Sequence, residues 1–271
     1  MKKVDLYDSH YGNVEADIYR AVRIEAFGED LGQTSWITAR ECDEFCRWLD
    51  LRADQSILEV GCGSGGTAVH IAERFRVSAV GVDINESAVL AATTRARART
   101  VHDRVTFQVA DANHALPFPD ESFDALFCND AINHLRDRAR ILAEWHRVLR
   151  PGGRCLYTDP IVVTGCLSNA EIEVRSSIGF FLFTPKGGNE AFIRAAGFRA
   201  VLTADVTASV SRTSQRWHEA RAERRQALCE LEGETRFEEL QRFLTTVHIL
   251  ASEGRLSRFV FMAEKTGRAT S

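Results

Sequence analysis

The chemistry-bearing residues fall at the ends of short apolar runs. In segment 57–66, ILEVGCGSGG, Glu59 sits inside such a run, and Gly61, Gly63, Gly65 and Gly66 follow it. Glycines there let the chain turn tightly and a ligand approach the backbone without meeting a Cβ. Alone, the turn suits a dinucleotide or a phosphate equally. Glu59 narrows the choice, because a carboxylate before the turn repels a pyrophosphate and attracts a cation. Asp83 closes the next run, AVGVDIN, where an acidic side chain accepts both hydroxyls of a ribose. Asp111, with the Ala112 amide, follows a third run in VADANHALPF and suits the edge of an adenine. A fourth run ends in CNDAINHLRD, which carries Asn129, Asp130, Asn133 and His134. Asp130 and His134 are four apart and share a face if the turn between them is helical. A histidine titrates near neutral pH, so His134 suits a general base or an orienting group. It equally suits a half-buried residue at a helix start.

Residues so spaced need a scaffold that brings strand ends together. Short apolar runs at 56–60, 78–82, 105–109, 125–128, 153–158, 199–205 and 258–263 predict seven strands. Amphipathic stretches at 66–74, 86–99, 139–149 and 189–196 lie between them, and a charged crossover at 212–253 reads as one or two helices. This alternation predicts an α/β fold with a Rossmann-like, largely parallel sheet covered by helices. Residues 1–55 form an N-terminal helical cap, 56–160 the ligand-binding core, 161–188 a lid insertion, and 189–271 the rest of the sheet. The loop at 27–38 and the insertion after the fifth strand are expected to build the pocket at the strands' carboxyl ends.

Composition excludes several classes. The 271 residues are 45% hydrophobic and 27% charged, enough to bury a core and too apolar for wholesale disorder. A formal net charge of −4 argues against a nucleic-acid partner. The arginine-rich runs at 95–99 and 221–225 read as solvated helix faces. No apolar run approaches the roughly 20 residues that cross a bilayer. The N-terminus, MKKVDLYDSHYGN, has no apolar stretch behind its lysines and is not expected to be a signal peptide. Seven cysteines without metal-type spacing predict no metal site and a reduced, cytoplasmic protein.

In order and content, the motif set resembles the class I S-adenosylmethionine-dependent methyltransferases, closely over 56–158 and in architecture beyond. The resemblance implies S-adenosyl-L-methionine as cofactor. Gly61, Gly63 and Gly65 would line its methionyl and ribose part, and Glu59 its amino group or the water network there. Asp83 would hold the ribose hydroxyls, Ile84, Asp111 and Ala112 would bracket the adenine, and Asn129 would contact the methionine end. The segment DAINHL further resembles the small-molecule N-methyltransferases of the phosphoethanolamine and sarcosine/dimethylglycine groups. In the phosphoethanolamine enzymes the Asp and His of this motif lie in the active site, and the His pairs with an N-terminal Tyr. Asp130 and His134 are thus catalytic candidates, with Tyr11 the best candidate among Tyr7, Tyr11 and Tyr19.

Substrate contacts are expected from Asp159, after the fifth strand, and from Phe180 and Phe181 in the lid. The two aromatics suit a cation–π cage or plain lid packing. Trp36 suits either a cofactor contact or an anchor for the N-terminal helices. The expected reaction is methyl transfer to a small molecule, with nitrogen the favoured acceptor. The alternatives are O- or C-methylation of a natural product or quinone-like ring, and a methyltransferase-like scaffold without catalysis. The sequence leaves the oligomeric state open.

Overall fold

A computed structural model describes residues 11–267. Helical residues 11–12 precede α1 (Asp17–Phe27) and α2 (Ala39–Trp48). The second begins in a capping box, in which Thr38 Oγ1 accepts the Glu41 amide and the Glu41 carboxylate accepts the Thr38 amide. Between them, 28–38 is a loop. There follow β1 (Ser56–Val60), α3 (Gly66–Phe75), β2 (Ser78–Asp83), α4 (Glu86–Ala98), β3 (Val105–Val109) and β4 (Phe123–Cys128). A 3₁₀ turn (Ile132–His134) leads to α5 (Arg138–Val148) and β5 (Leu149–Val163). Next come α6 (Asn169–Arg175), the two-residue β6 (Thr184–Pro185), α7 (Gly188–Ala195) and β7 (Phe198–Asp205). Three helices, α8 (Thr207–Ala222), α9 (Arg225–Glu232) and α10 (Glu234–Ser252), precede β8 (Leu256–Lys265).

Seven strands run in the order β3-β2-β1-β4-β5-β8-β7, and β6 pairs with the far end of β5. The first five are parallel, whereas β8 is antiparallel to both neighbours. The mixed α/β sheet expected from the alternation of runs is therefore present. The order reverses at β1, so the connections leaving β1 and β4 run in opposite directions and leave a crevice where such sheets bind ligands.

Two differences from the expected elements have physical causes. β5 continues to Val163 because β8 pairs with it as far as Val163↔Leu256, so the segment expected as an insertion from 161 begins in the sheet. The charged crossover is three helices rather than one or two, starting at Thr207. Trp217, Phe237, Leu240, Phe243 and Leu244 fill a cluster with Phe27, Trp36 and Ile178, which welds these helices to α1 and the lid. Two further clusters lie against the sheet, one containing Trp145 and Tyr157, the other Phe45 and Phe127. Among the described residues, no helix is long and apolar enough to cross a membrane. All seven cysteines are free thiols.

Candidate active site

The carboxyl ends of β1, β2, β3 and β4 open into a cavity of about 540 Å³, within the range of small-ligand sites. The loop 31–35 and residues 178–180 close it from above. Its floor is the glycine turn. Gly61, Gly63 and Gly65 have φ of +74°, +50° and +73°, a region that side chains resist. Gly66 is required for a different reason: a Cβ there would lie 1.6 Å from the Leu31 carbonyl oxygen. The cap loop therefore rests directly on the start of α3.

Glu59, Asp83 and Asp111 all face this cavity. Glu59 is 3% exposed, and its Oε2 has no hydrogen-bond partner. Burial pushes its carboxyl up to about 8; the Ala68 amide opposes the shift and nearby Asp83 adds to it. An orphaned buried carboxylate oxygen is the mark of a site awaiting a cation. Asp83 is fixed by amides, with Oδ2 accepting Gly63 N at 2.8 Å and Oδ1 accepting Asn85 N at 2.9 Å. Burial raises its carboxyl as well, against the opposing amides. Asp111 Oδ1 accepts both nitrogens of Asn113, each at 2.9 Å. Ile84, 63% exposed, and Ala112 line the same end.

At the other end stand Asn129, Asp130 and His134. Asp130 and His134 do not share a helical face. Asp130 takes φ +52°, and a 3₁₀ turn follows, so the carboxylate turns back into the fold. There its Oδ1 accepts Arg258 Nε at 2.8 Å and Thr158 Oγ1 at 2.6 Å, and its Oδ2 accepts the Trp36 amide at 3.0 Å. These partners hold the Asp130 carboxylate in place. His134 turns toward the lid: Nδ1 meets the Phe180 carbonyl at 3.0 Å, and the ring packs edge-on against Phe181 at 4.7 Å. A carbonyl only accepts, so Nδ1 carries a hydrogen, and in the neutral ring Nε2 then holds the lone pair.

The remaining candidates divide. Tyr11 lines the cavity, its hydroxyl 3.1 Å from Thr34 Oγ1 and lying over Gly63. Tyr19 is engaged elsewhere, donating to Glu232 at 2.7 Å, and Tyr7 lies outside the described residues. Phe180 lines the cavity with the Arg136 guanidinium over its ring. Phe181 does not; it is packed beneath Arg175 and against the lid's apolar clusters. Trp36 does not line the cavity either. It packs edge-on against Trp217 at 5.9 Å, serving as the helical anchor. Asp159 is fully buried away from the cavity. Its Oδ2 accepts Arg138 Nη1 at 2.5 Å and Asn189 Nδ2 at 2.9 Å, and Oδ1 accepts the Ile161 amide. Burial beside an arginine made it structural.

Sequence reasoning missed Arg258 and Arg138, while the loop expected at 27–38 to build the pocket does line the cavity, through residues 31–35. The signal for Arg258 was present: a lone arginine inside the apolar run LSRFVFM demands a buried anion.

A parallel sheet with a glycine turn after β1, an acid closing β2 and an unpaired buried carboxylate beside the turn defines an α/β enzyme core built for a cationic nucleoside. A methyltransferase-domain family model matches residues 58–157. The chain is 32% identical over 203 residues to 27-O-demethylrifamycin SV methyltransferase of Amycolatopsis mediterranei, covering 70% of this chain and 74% of that one. It is 31% identical over 189 residues to phosphoethanolamine N-methyltransferase 3 of Arabidopsis thaliana, covering 67% of this chain and 36% of the relative. The fold matches Haemonchus contortus phosphoethanolamine N-methyltransferase 2, solved with phosphomonomethylethanolamine and S-adenosylhomocysteine. The TM-score is 0.81 at 22% identity, over 98% of this chain and 62% of that one.

The chain belongs to the class I S-adenosylmethionine-dependent methyltransferases. It is an enzyme that uses S-adenosyl-L-methionine to methylate a small molecule. The residues present fit that cofactor: Glu59 offers a buried carboxyl oxygen without a partner, Asp83 a fixed carboxylate, and the glycine turn an open backbone.

Proposed function

We propose that the enzyme methylates a hydroxyl group of a small, largely uncharged molecule. The observation that carries this reading is the state of the two carboxylates expected at the acceptor end. Asp130 is paired with the Arg258 guanidinium and further held by Thr158 and the Trp36 amide, and Asp159 is closed off by Arg138 and Asn189. Each is already balanced by a buried arginine and brings little net negative charge to attract an ammonium group. What lines that end is neutral or apolar: Tyr11, Gln33, Thr34, Ser35, Ile178 and Phe180, with Arg136 adding positive charge. Such a surface disfavours a cationic acceptor beside a sulfonium.

The cofactor supplies a methyl group on an activated leaving group. The chain's part is to align the acceptor and to take its proton. Alignment between cap loop and lid contributes up to about 7–11 kcal/mol in favourable systems. His134 Nε2 takes the hydroxyl proton as the oxygen–carbon bond forms, an effect of roughly 10²–10⁴ in rate. We assign Glu59 to the cofactor's ammonium, Asp83 to the ribose hydroxyls, and Asp111, Ala112 and Ile84 to the adenine. The rifamycin relative supports the hydroxyl reading, since its name places its acceptor on an oxygen. The phosphoethanolamine N-methyltransferase relatives favour a second reading, a nitrogen acceptor that enters neutral and loses its proton to His134. Neither reading calls for a nucleic-acid or membrane partner, and seven free thiols suit a reducing cytoplasm.

The test offers methyl-labelled cofactor with matched series of alcohols, phenols and amines. Label is expected on oxygen, and His134→Ala is expected to lower kcat by about 10²–10⁴. Transfer confined to amines would overturn the hydroxyl reading, and unchanged turnover in His134→Ala would remove that residue from catalysis.

A further inference from the structure

The methionine end of the crevice is governed by a side chain that does not line it. Arg258, on β8, is 1% exposed and ties the end of β4 to the start of α2. Its Nε donates to Asp130 Oδ1 at 2.8 Å, its Nη2 to Asn129 Oδ1 at 2.8 Å, and its Nη1 to both Glu41 oxygens at 3.2 and 3.4 Å. Two of these partners, Asn129 and Asp130, line the cavity, and the third belongs to the capping box of α2.

A guanidinium has donors only. An amide held by one must therefore turn its oxygen toward the arginine and its NH₂ away. Asn129 obeys this: Oδ1 accepts Arg258 Nη2, while Nδ2 donates to Ser35 Oγ at 2.6 Å. An amide carries two N–H groups, so one is left for the cavity. Without the arginine, the amide would be free to present its oxygen there instead. The same guanidinium holds Asp130 in its left-handed conformation, which costs an ordinary residue roughly 1–2 kcal/mol.

We propose that Arg258 is a positioning residue, which fixes the Asn129 amide so that the crevice is offered a hydrogen-bond donor, matched to the carboxylate of the cofactor's methionyl group. The proposal rests on the S-adenosylmethionine reading of the crevice. Through Glu41, the same side chain ties the N-terminal cap to that donor.

The test is a double-mutant cycle on cofactor affinity, measured by titration calorimetry on the full chain. Arg258→Lys keeps a buried cation beside Asp130 and Glu41, but one ammonium cannot reproduce the planar fork that reaches Asn129 and Asp130 together. Asn129→Ala removes the donor itself. Each single variant is expected to bind the cofactor about tenfold more weakly, and the double variant no more weakly than either single one. Additive losses, about a hundredfold in the double variant, would overturn the positioning role while leaving the cofactor reading intact. No loss in Asn129→Ala would overturn the proposal, whereas failure of the wild-type chain to bind would overturn the cofactor reading itself. Asn129→Asp needs no change at Arg258. It keeps the oxygen that the arginine binds and removes the donor, so it should weaken cofactor binding at least as much as Asn129→Ala; retained affinity overturns the proposal.

Discussion

The two ends of the crevice are made of different materials. At the nucleoside end, backbone does the shaping: three left-handed glycines, amides that hold Asp83, and a helix start on which the cap loop rests. At the acceptor end, buried ion pairs do it. Arg258 with Asp130 and Arg138 with Asp159 lock the strand ends that carry the lid and the cap. A backbone-built site tolerates little change in shape, whereas one built on buried charges tolerates little change in charge balance. The comparison also teaches why carboxylates near an acceptor are not automatically for the acceptor. An arginine behind each decides what it is for.

Three substitutions sharpen or break that comparison. Asp159→Ala should have the largest effect. It strands the Arg138 guanidinium, which is fully buried, and a broken buried pair costs about 3–5 kcal/mol. Cofactor affinity of whatever protein folds should be close to wild type; normal stability with a raised KM for the acceptor would return Asp159 to the substrate site. Gly66→Ala comes next, since its Cβ meets the Leu31 carbonyl oxygen. Overpacking of this kind costs about 3 kcal/mol. In a chain this long that is roughly 6–12 °C in Tm. Cofactor affinity should fall with it, because residues 31–35 must shift; an unaltered Tm and affinity would show that the cap loop does not rest there. Glu59→Gln should have the smallest effect, a loss of about tenfold in cofactor affinity, as one exposed-to-buried charge contact is removed.

Legibility in the sequence follows the same division. Strands 56–60 and 105–109 match β1 and β3, because β1 is a buried apolar run and β3, at the sheet edge, a run rich in β-branched residues, each bounded by turn residues. Glu59, Asp83 and Asp111 were readable since each stands at a fixed offset from such a run. Asp130, Asp159 and Trp36 carried no sign of their partners, for Arg258, Arg138 and Trp217 lie 128, 21 and 181 positions away along the chain. Residue type announces that a buried carboxylate needs something; only the fold says what. The three-helix crossover was equally opaque, since its breaks fall within a continuous amphipathic pattern.

The buried carboxyl beside the glycine turn also makes a prediction about protons. Glu59 has its carboxyl pushed up to about 8 by burial, so at pH 7 the free chain holds it mostly protonated. The unfolded chain would ionise it near the ordinary glutamate value of about 4.3. The folded state therefore binds the extra proton, and this group's contribution to stability falls as pH rises from about 4.3 to about 8. A cation bound against Oε2 reverses the preference and expels the proton, so cofactor affinity should rise with pH up to about 8.

Titration calorimetry of S-adenosylmethionine at pH 7, in buffers of differing ionisation enthalpy, tests the crevice assignment most directly. Release of close to one proton per cofactor in the wild-type chain, abolished in Glu59→Gln, is the expected result. Binding without proton release, or with the same release in both proteins, would contradict the assignment of that buried carboxylate to the cofactor's cation.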